Sequence, residues 1–427
     1  MAILGSTKQR VSPSERMDAQ KLSDSEFSGL VGKRMAVVSF SAFPGDPRPR
    51  RAAEAFAEAG MSVEVICLKE AEAAKKDTFK GIRIDRIEIA KSRNSKFGYV
   101  FQYCLFILIV FVMLTLRFPI RRYDIIHIHN MPDVLVFAAL IPKLFGTKVI
   151  LDLHDPMPEL MMTIFNTRKE SWAVRLMAFL EKQSITFADM VLTVNRTCEE
   201  LFALRSGGAS KISVVMNTPN EQIFRYSPVK LDDAAVSKIG KPFVIMYHGT
   251  LVERNGLDLA VEALAQVRQS VPEAELRVYG PRTLYLDDVL HSLSAKGLEE
   301  AIVYLGPRTL EELAQAIAQC DVGVIPNKRS MFTEINTPTR IFEYLALGKP
   351  VVAPRANGIE AYFDKDSLVL FELGNANDLA MKLSWVATHP MEALETTKRG
   401  QAIYQQHVWS REKEKLLNLT AALVRSR

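Results

Sequence analysis

From residue 35 onward the chain alternates short runs rich in Val and Ile with longer amphipathic segments, and this alternation leaves few folds open. A strand with one wet face alternates apolar and polar residues singly, whereas near-continuous apolar runs mark strands covered on both faces, as in a parallel sheet flanked by helices. Two series of such runs occur. The first comprises residues 35–40, 62–68, 82–89, 124–129, 148–152, 190–194 and 212–216; the second comprises 243–247, 275–279, 301–305, 321–325, 350–353 and 367–371. With 427 residues, too many for one hydrophobic core and enough for two, the expected fold class is α/β, with two Rossmann-like domains facing a cleft.

The segment 217–241, rich in Pro, Asn, Lys and Asp and without sustained periodicity, reads as the linker. Placing the boundary at Tyr226 gives an N-terminal domain over 31–225 and a C-terminal domain over 226–409. Residues 410–427 carry Leu416, Leu417, Leu419, Leu423 and Val424 at helical spacing, which predicts a closing amphipathic helix. Residues 1–30 lack the apolar stretch of a signal peptide and are expected to be a loose tail. Hydrophobic residues at 48% and charged residues at 24% exclude wholesale disorder. The net charge of +5 suits phosphates or an anionic membrane surface, and nucleic acid is not an expected partner. Cys67, Cys104, Cys198 and Cys320 lie far apart with no C-x-x-C pair, so the sequence offers no zinc motif or disulfide framework and fits a reducing cytosol.

One segment departs from the rhythm. Residues 99–116 are almost uninterrupted apolar residues, with Gln102 and Thr115 as the clear exceptions, and as a helix they would be about 27 Å long. A single membrane crossing would place the strands on either side of it, 82–89 and 124–129, on opposite faces of the bilayer although they belong to one sheet. Lys91, Arg93 and Lys96 precede the run and Arg117, Arg121 and Arg122 follow it. Those flanks predict a membrane-associating helix, peripheral or monotopic on the inner face of the cell membrane. A core or dimer-interface helix is the alternative.

In open α/β sheets ligands bind beyond the carboxyl ends of the strands. After the first strand, Gly45 and Arg48 stand in Gly-Asp-Pro-Arg-Pro-Arg before a helix expected over 51–60, where backbone N–H groups can hold a phosphate or simply form a turn. After the fourth comes His127-Ile-His129-Asn130-Met-Pro-Asp133, and after the fifth Asp152-Leu-His154-Asp155-Pro-Met-Pro-Glu159. Such imidazoles and carboxylates can orient sugar hydroxyls or take an acceptor's proton; capping of helix starts by Asn130, Asp133 and Asp155 is the competing reading.

The second domain opens with His248-Gly249-Thr250-Leu-Val-Glu253-Arg254-Asn255-Gly256, where Arg254 near a helix start makes an anion site or an ordinary exposed cation. Further on, Glu334-Ile335-Asn336-Thr337-Pro338-Thr339-Arg340-Ile341-Phe342-Glu343-Tyr344-Leu345-Ala346-Leu347-Gly348 reads as a helix capped by Thr337, with Pro338 as its first residue and Gly348 as its left-handed stop. Its free amides suit a phosphate. Glu343, within two turns, can accept from both hydroxyls of a ribose, each bond worth about 1.5 to 3 kcal/mol, or can be a solvated surface carboxylate.

H-G-T-x-x-x-R-x-G-L-D, then P-T-R-I-F-E-Y-L-A-L-G-K-P-V-V, with D-x-x-H-x-H-N and D-x-H-D upstream, strongly resemble the retaining GT-B glycosyltransferases of family four, which include bacterial exopolysaccharide and lipopolysaccharide transferases. The resemblance implies a nucleoside-diphosphate-sugar donor held by the second domain and an acceptor held by the first, with no metal or other cofactor. It implies that Glu343 binds the ribose, that Arg254 binds phosphate, that His154 lies near the transferred sugar, and that Gly45 belongs to a loop approaching the donor phosphate. Gly249, Thr250, Glu334, Asn336, Thr337, Pro338 and Arg340 complete the expected donor site. His129, Asn130, Asp133, Asp155, Glu159 and Arg48 form the expected acceptor site. The final helix is expected to cross back to the first domain.

Two positions depart from the family pattern. Ile335 stands where the family places a carboxylate, with Glu334 one position off, and Thr250 and Asn255 stand where many relatives carry Arg and Lys. Arg254, with Arg340, is then left to balance a diphosphate. The implied reaction is transfer with retention to a saccharide or polyprenyl-diphosphate-linked acceptor in surface polysaccharide synthesis. A sugar-nucleotide epimerase and a non-catalytic scaffold of the same fold are the alternatives.

Overall fold

The computed structural model describes residues 27–70, 72–89, 96–230, 241–293 and 297–426. Most of the expected tail, together with Lys91, Arg93 and part of the expected linker, lies outside these residues. Ser28–Leu30, placed by the sequence in the loose tail, is instead a short 3-10 turn that buries Leu30.

The chain divides into two compact units: residues 1–154, 180–192 and 413–427 form the first, and 155–179 with 193–412 the second. The expected boundary at Tyr226 falls inside the second unit, because Val214, Met216 and Phe224 are buried in the core built around Val244, Met246, Phe342 and Tyr404. The closing helix, Trp409–Arg425, groups with the first unit from Lys413 onward.

The first unit is built on β1 (Arg34–Ala42), β2 (Ser62–Leu68), β3 (Lys76–Phe79), β4 (Ile82–Ile87), β5 (Ile125–His129), β6 (Lys148–Leu153) and β7 (Met190–Thr193). Within it the strands run β3-β4-β2-β1-β5-β6-β7. The pairs β1–β2, β2–β4, β1–β5 and β5–β6 are parallel, while β3 pairs antiparallel with β4 at the edge. Lys-Asp-Thr-Phe carries no buried run, so β3 left no hydropathy signal. Strand order reverses between β1 and β5.

The second unit contains β8 (Ile212–Val214) and a six-stranded sheet of β9 (Phe243–His248), β10 (Ala274–Tyr279), β11 (Ile302–Gly306), β12 (Val322–Val324), β13 (Val351–Arg355) and β14 (Val369–Glu372). Its order is β11-β10-β9-β12-β13-β14, parallel throughout. The order reverses between β9 and β12, the kind of point beyond whose strand ends open α/β sheets bind ligands.

The apolar segment forms a helix over Lys96–Arg121, long and apolar enough over Val100–Arg121 to cross a membrane. It joins β4 to β5 of one sheet, so one crossing is topologically excluded. Phe106, Val110 and Leu114, spaced by four, are buried, with the Phe106 ring meeting Phe40 edge-on at 5.1 Å. Phe101, Leu108, Leu116 and Ile120 point outward. Arg117, expected to face a membrane, instead donates to Glu64 and Asp85, both at 2.6 Å, and Arg121 also pairs with Glu64. A carboxylate as buried as Glu64 needs such partners, and Tyr123 adds a third at 2.8 Å.

Candidate active site

In the second unit the helix after β12 runs Thr339–Ala346. Its start is one residue later than the sequence indicated: Pro338, buried and extended, is the N-cap, and the Thr337 hydroxyl, instead of capping, donates to the carbonyl of Gly358. The helix stops as expected, with Gly348 at φ +69°. Ile341, Phe342, Tyr344, Leu345 and Ala346 are buried, which leaves Arg340 and Glu343, one turn apart, on the free face.

These side chains meet His248, the last residue of β9 at the reversal point. His248 Nε2 lies 2.6 Å from Glu343 Oε2, and its Nδ1 lies 2.9 Å from the Tyr344 hydroxyl. Tyr344 donates onward to the Met246 carbonyl at 2.7 Å, and burial pushes its phenol well above the usual range. Arg340 donates to the His248 carbonyl at 2.7 Å, lies over the Tyr247 ring at 4.9 Å, and packs against Gly249. The structure thus brings Gly249, Arg340 and Glu343 together around a histidine to which the sequence assigned no role; its sequence signals were its place at a strand end and at the head of the H-G-T motif.

The loop after β9 is tightly built. A Cβ on Gly280 would lie 2.1 Å from the Gly249 carbonyl, and one on Gly256 would lie 1.9 Å from that of Pro326. The Thr250 carbonyl accepts from Asn255 at 2.7 Å and from Tyr247 at 3.0 Å, so Asn255 braces the loop where relatives carry Lys. Arg254 lies in the 3-10 turn Glu253–Asn255 before the helix Leu257–Ser270, with its guanidinium 5.8 Å from the Phe332 ring centre. No carboxylate pairs with it among the described residues. Lys328, not anticipated from the sequence, donates its backbone N–H to the Arg254 carbonyl and pairs with Asp258 at 2.6 Å.

At the missing carboxylate, the Ile335 carbonyl accepts from Asn195 at 3.0 Å. A Cβ on Gly358 would lie 2.4 Å from the Ile335 carbonyl and 2.6 Å from that of Asn336. Glu334 lies on the short helix Met331–Ile335, 3.8 Å from Arg329, and does not reach the Glu343 cluster by any contact found among the described residues.

In the first unit, Gly45 precedes a helix that spans Pro47–Glu58, not 51–60, because Asp46 caps it by accepting from the Arg48 N–H at 3.2 Å. Gly45 is not left-handed, and a Cβ there would meet its neighbours only at ordinary distances of 3.6 Å and beyond. Arg48, expected to hold an acceptor, is buried and forks onto Asp152, with Nη2 2.7 Å and Nε 3.0 and 3.1 Å from the carboxylate oxygens. Burial alone would raise the Asp152 carboxyl, but the charges of Arg48 and His154 hold it well below its usual range.

His129 Nδ1 lies 3.0 Å from His154 Nε2 and 3.4 Å from Asp152, and His127 Nε2 lies 3.6 Å from Asp152. Burial drives both His127 and His129 down, His129 well below the usual value, so both are neutral. Asn130 and Asp133, instead of capping, bond to each other at 3.0 Å, and the Asn130 side-chain oxygen Oδ1 accepts from the His154 backbone N–H at 2.8 Å. The donor atoms of His127, His129 and Asp152 fall within 4.8 Å of one another. A divalent cation fits this set poorly, since Arg48 already occupies both Asp152 oxygens and would stand beside the ion.

Asp155 and Glu159 lie in the second unit. Pro156, not Asp155, is the N-cap of the helix Met157–Phe165. Glu159 is buried and paired with Arg205, a structural arrangement, in place of the expected acceptor contact.

Comparison with known proteins finds two successive family domains, meeting between residues 218 and 242. Residues 46–218 match the Glycosyl transferase 4-like domain, and residues 242–389 match Glycosyl transferases group 1. Over 310 residues the chain is 24% identical to the D-inositol 3-phosphate glycosyltransferase of Corynebacterium aurimucosum, covering 70% of this chain and 72% of that one. Sucrose-phosphate synthase from Thermosynechococcus elongatus superposes with a TM-score of 0.74 at 17% identity, over 92% of this chain and 100% of that one. The HepE protein of Anabaena, solved with UDP-glucose, gives 0.68 at 17% identity, over 91% and 99%.

Proposed function

The chain belongs to the family-four glycosyltransferases of GT-B fold, and we propose that it moves a hexosyl unit, with retention, from a nucleoside-diphosphate sugar to a saccharide acceptor. The observation that carries this reading is the meeting of Glu343, Arg340 and Gly249 at the β9/β12 reversal point, with the unpaired Arg254 guanidinium on the loop that leaves β9. Glu343 accepts from the ribose hydroxyls. Arg254, helped by the free amides in the first turn of the helix Thr339–Ala346, takes the charge that develops on the leaving diphosphate. Such stabilisation needs no metal, and none is proposed.

In the transfer, the bond from the anomeric carbon to the phosphate oxygen breaks as the acceptor oxygen bonds to that carbon from the same face. The acceptor's proton passes to the departing phosphate oxygen, so no side chain serves as covalent nucleophile. His154, braced by His129 and by the Asn130 side-chain oxygen, orients the transferred sugar. Gly45 supports this reading too, since nothing in the chain's own packing needs a glycine there and a close phosphate would.

The outward face of the helix Lys96–Arg121 supports attachment to the inner face of the membrane and an acceptor that is lipid-linked, as a polyprenyl diphosphate in surface polysaccharide synthesis would be. The test is Arg254→Ala with sugar nucleotide and a saccharide acceptor. Turnover should drop by about 10- to 100-fold, the worth of one or two charge-assisted hydrogen bonds, with the melting temperature unchanged. Unchanged turnover would remove the phosphate assignment.

A further inference from the structure

A count of protons around His248 leads beyond the donor site as read so far. The Met246 carbonyl can only accept, so the single Tyr344 hydroxyl proton goes to it at 2.7 Å. The Tyr344 oxygen must then accept from His248, which places a proton on Nδ1 at 2.9 Å. The other ring nitrogen, Nε2, stands 2.6 Å from Glu343 Oε2, a distance at which a bare nitrogen lone pair and a carboxylate would repel. A second proton therefore lies between them.

We propose that His248 is a positioning residue for the donor. Anchored through Tyr344 to the β9 backbone, it holds the Glu343 side chain in one rotamer, aimed at the ribose. The proposal rests on the donor-site reading of Glu343. One carboxylate oxygen is fixed by His248, which leaves the other, with the remaining lone pair of the first, for the two ribose hydroxyls. The grip on the ribose therefore depends on a residue that itself touches neither the donor nor the reacting atoms.

The groups that set this behaviour come from both elements packed around the ring. Glu343, Tyr344 and Arg340 come from the helix Thr339–Ala346, Arg340 bonding the His248 carbonyl, and Tyr247 comes from the same strand. Cys320, buried at the foot of β12, is the next titratable group near Tyr344. Burial explains why the device is stable: His248 and Tyr344 are 3% and 0% exposed, so water does not compete for the bonds that fix the ring.

Calorimetric binding of UDP, GDP and ADP to the full chain identifies the tightest nucleotide, and its 2′,3′-dideoxy counterpart then reports the ribose contact alone. Wild type should prefer the ribose form by at least about tenfold, the worth of one charge-assisted bond. His248→Leu should erase the preference, raise the donor KM and leave kcat within a few-fold. His248→Gln, whose amide can donate to Glu343, should restore the preference.

If Glu343→Ala erases the preference while His248→Leu keeps it, the positioning role is overturned and the ribose contact stands. If Glu343→Ala itself leaves the preference intact, the donor-site reading fails and the proposal fails with it. Melting temperatures of both variants within a few degrees of wild type show that folding is not the cause. Should His248→Leu not fold, Tyr344→Phe, which removes the hydroxyl that anchors the ring, decides in its place, and an unchanged preference overturns the proposal.

Discussion

Gly323 of β12 and Tyr344 of the following helix are in direct contact: a Cβ on Gly323 would lie 2.4 Å from the Tyr344 ring. The glycine is thus the floor on which the ring lies, and through the ring's hydroxyl it sets the height of His248.

Gly323→Ala should therefore act at a distance from any ligand. Overpacking of this kind costs about 1 to 3 kcal/mol, and the displaced ring takes its hydrogen bond to His248 with it. Lower stability in urea together with weaker nucleoside-diphosphate binding is expected, and Tyr344→Leu in the same background should recover the stability but not the binding. Unchanged binding in Gly323→Ala would show that the ring does not set the site.

Arg48→Ala should unfold the protein more readily than any surface change. It leaves Asp152, 2% exposed, as an uncompensated buried charge, at a cost of about 3 to 5 kcal/mol. Arg48→Lys should recover only part, since a point charge cannot serve both oxygens as the fork does. A loss below about 1 kcal/mol, the level of an exposed pair, would contradict the geometry.

Stability should fall in mild acid. His127 and His129 have folded-state pKa values below the ordinary His value, with burial as the main cause. Between those values and about 6.5, the unfolded chain binds more protons than the folded one, so stability rises with pH across that window and is lost as pH drops below about 6.5. Asp152, held low, stabilises above about 3.9 and loses its contribution only at lower pH. Melting temperature should decline from about pH 7 to about pH 5.5 and decline less in His127→Leu. A flat profile in wild type would contradict neutral imidazoles in the core.

Membrane attachment through the helix Lys96–Arg121 should depend weakly on lipid charge, because Arg117 and Arg121 are turned inward to Glu64 and Asp85. Co-sedimentation with neutral phosphatidylcholine vesicles is expected, persisting in high salt, as burial of apolar area implies. Leu108→Asp with Leu116→Asp, both side chains more than half exposed, should release the protein with little change in melting temperature. Binding only to anionic vesicles, reversed by salt, would assign the attachment elsewhere.

Much of this was legible in the residues. Uninterrupted apolar runs identified nearly every parallel strand, because burial on both faces leaves a mark that needs no partner to be read. The Gly348 stop and the Glu343 helix were equally visible, since capping and the amphipathic period are local. β3 was missed because a short polar edge strand is made by its neighbour, and the Thr337 cap was misplaced because a carbonyl at Gly358, distant in sequence, claims its hydroxyl.

The same limit applies to charges. Arg48, Glu159, Arg117 and Arg121 read as ligand or membrane contacts, yet each is taken by an internal partner between 32 and 104 residues away in the chain. Spacing along the chain fixed the two doubly wound units, the family motifs and the strand ends where chemistry gathers, because those follow from periodicity and backbone preference. Which charges stay free to meet a ligand, and that His248 rather than solvent faces Glu343, was decided only in three dimensions, since pairing depends on distances that no local pattern encodes.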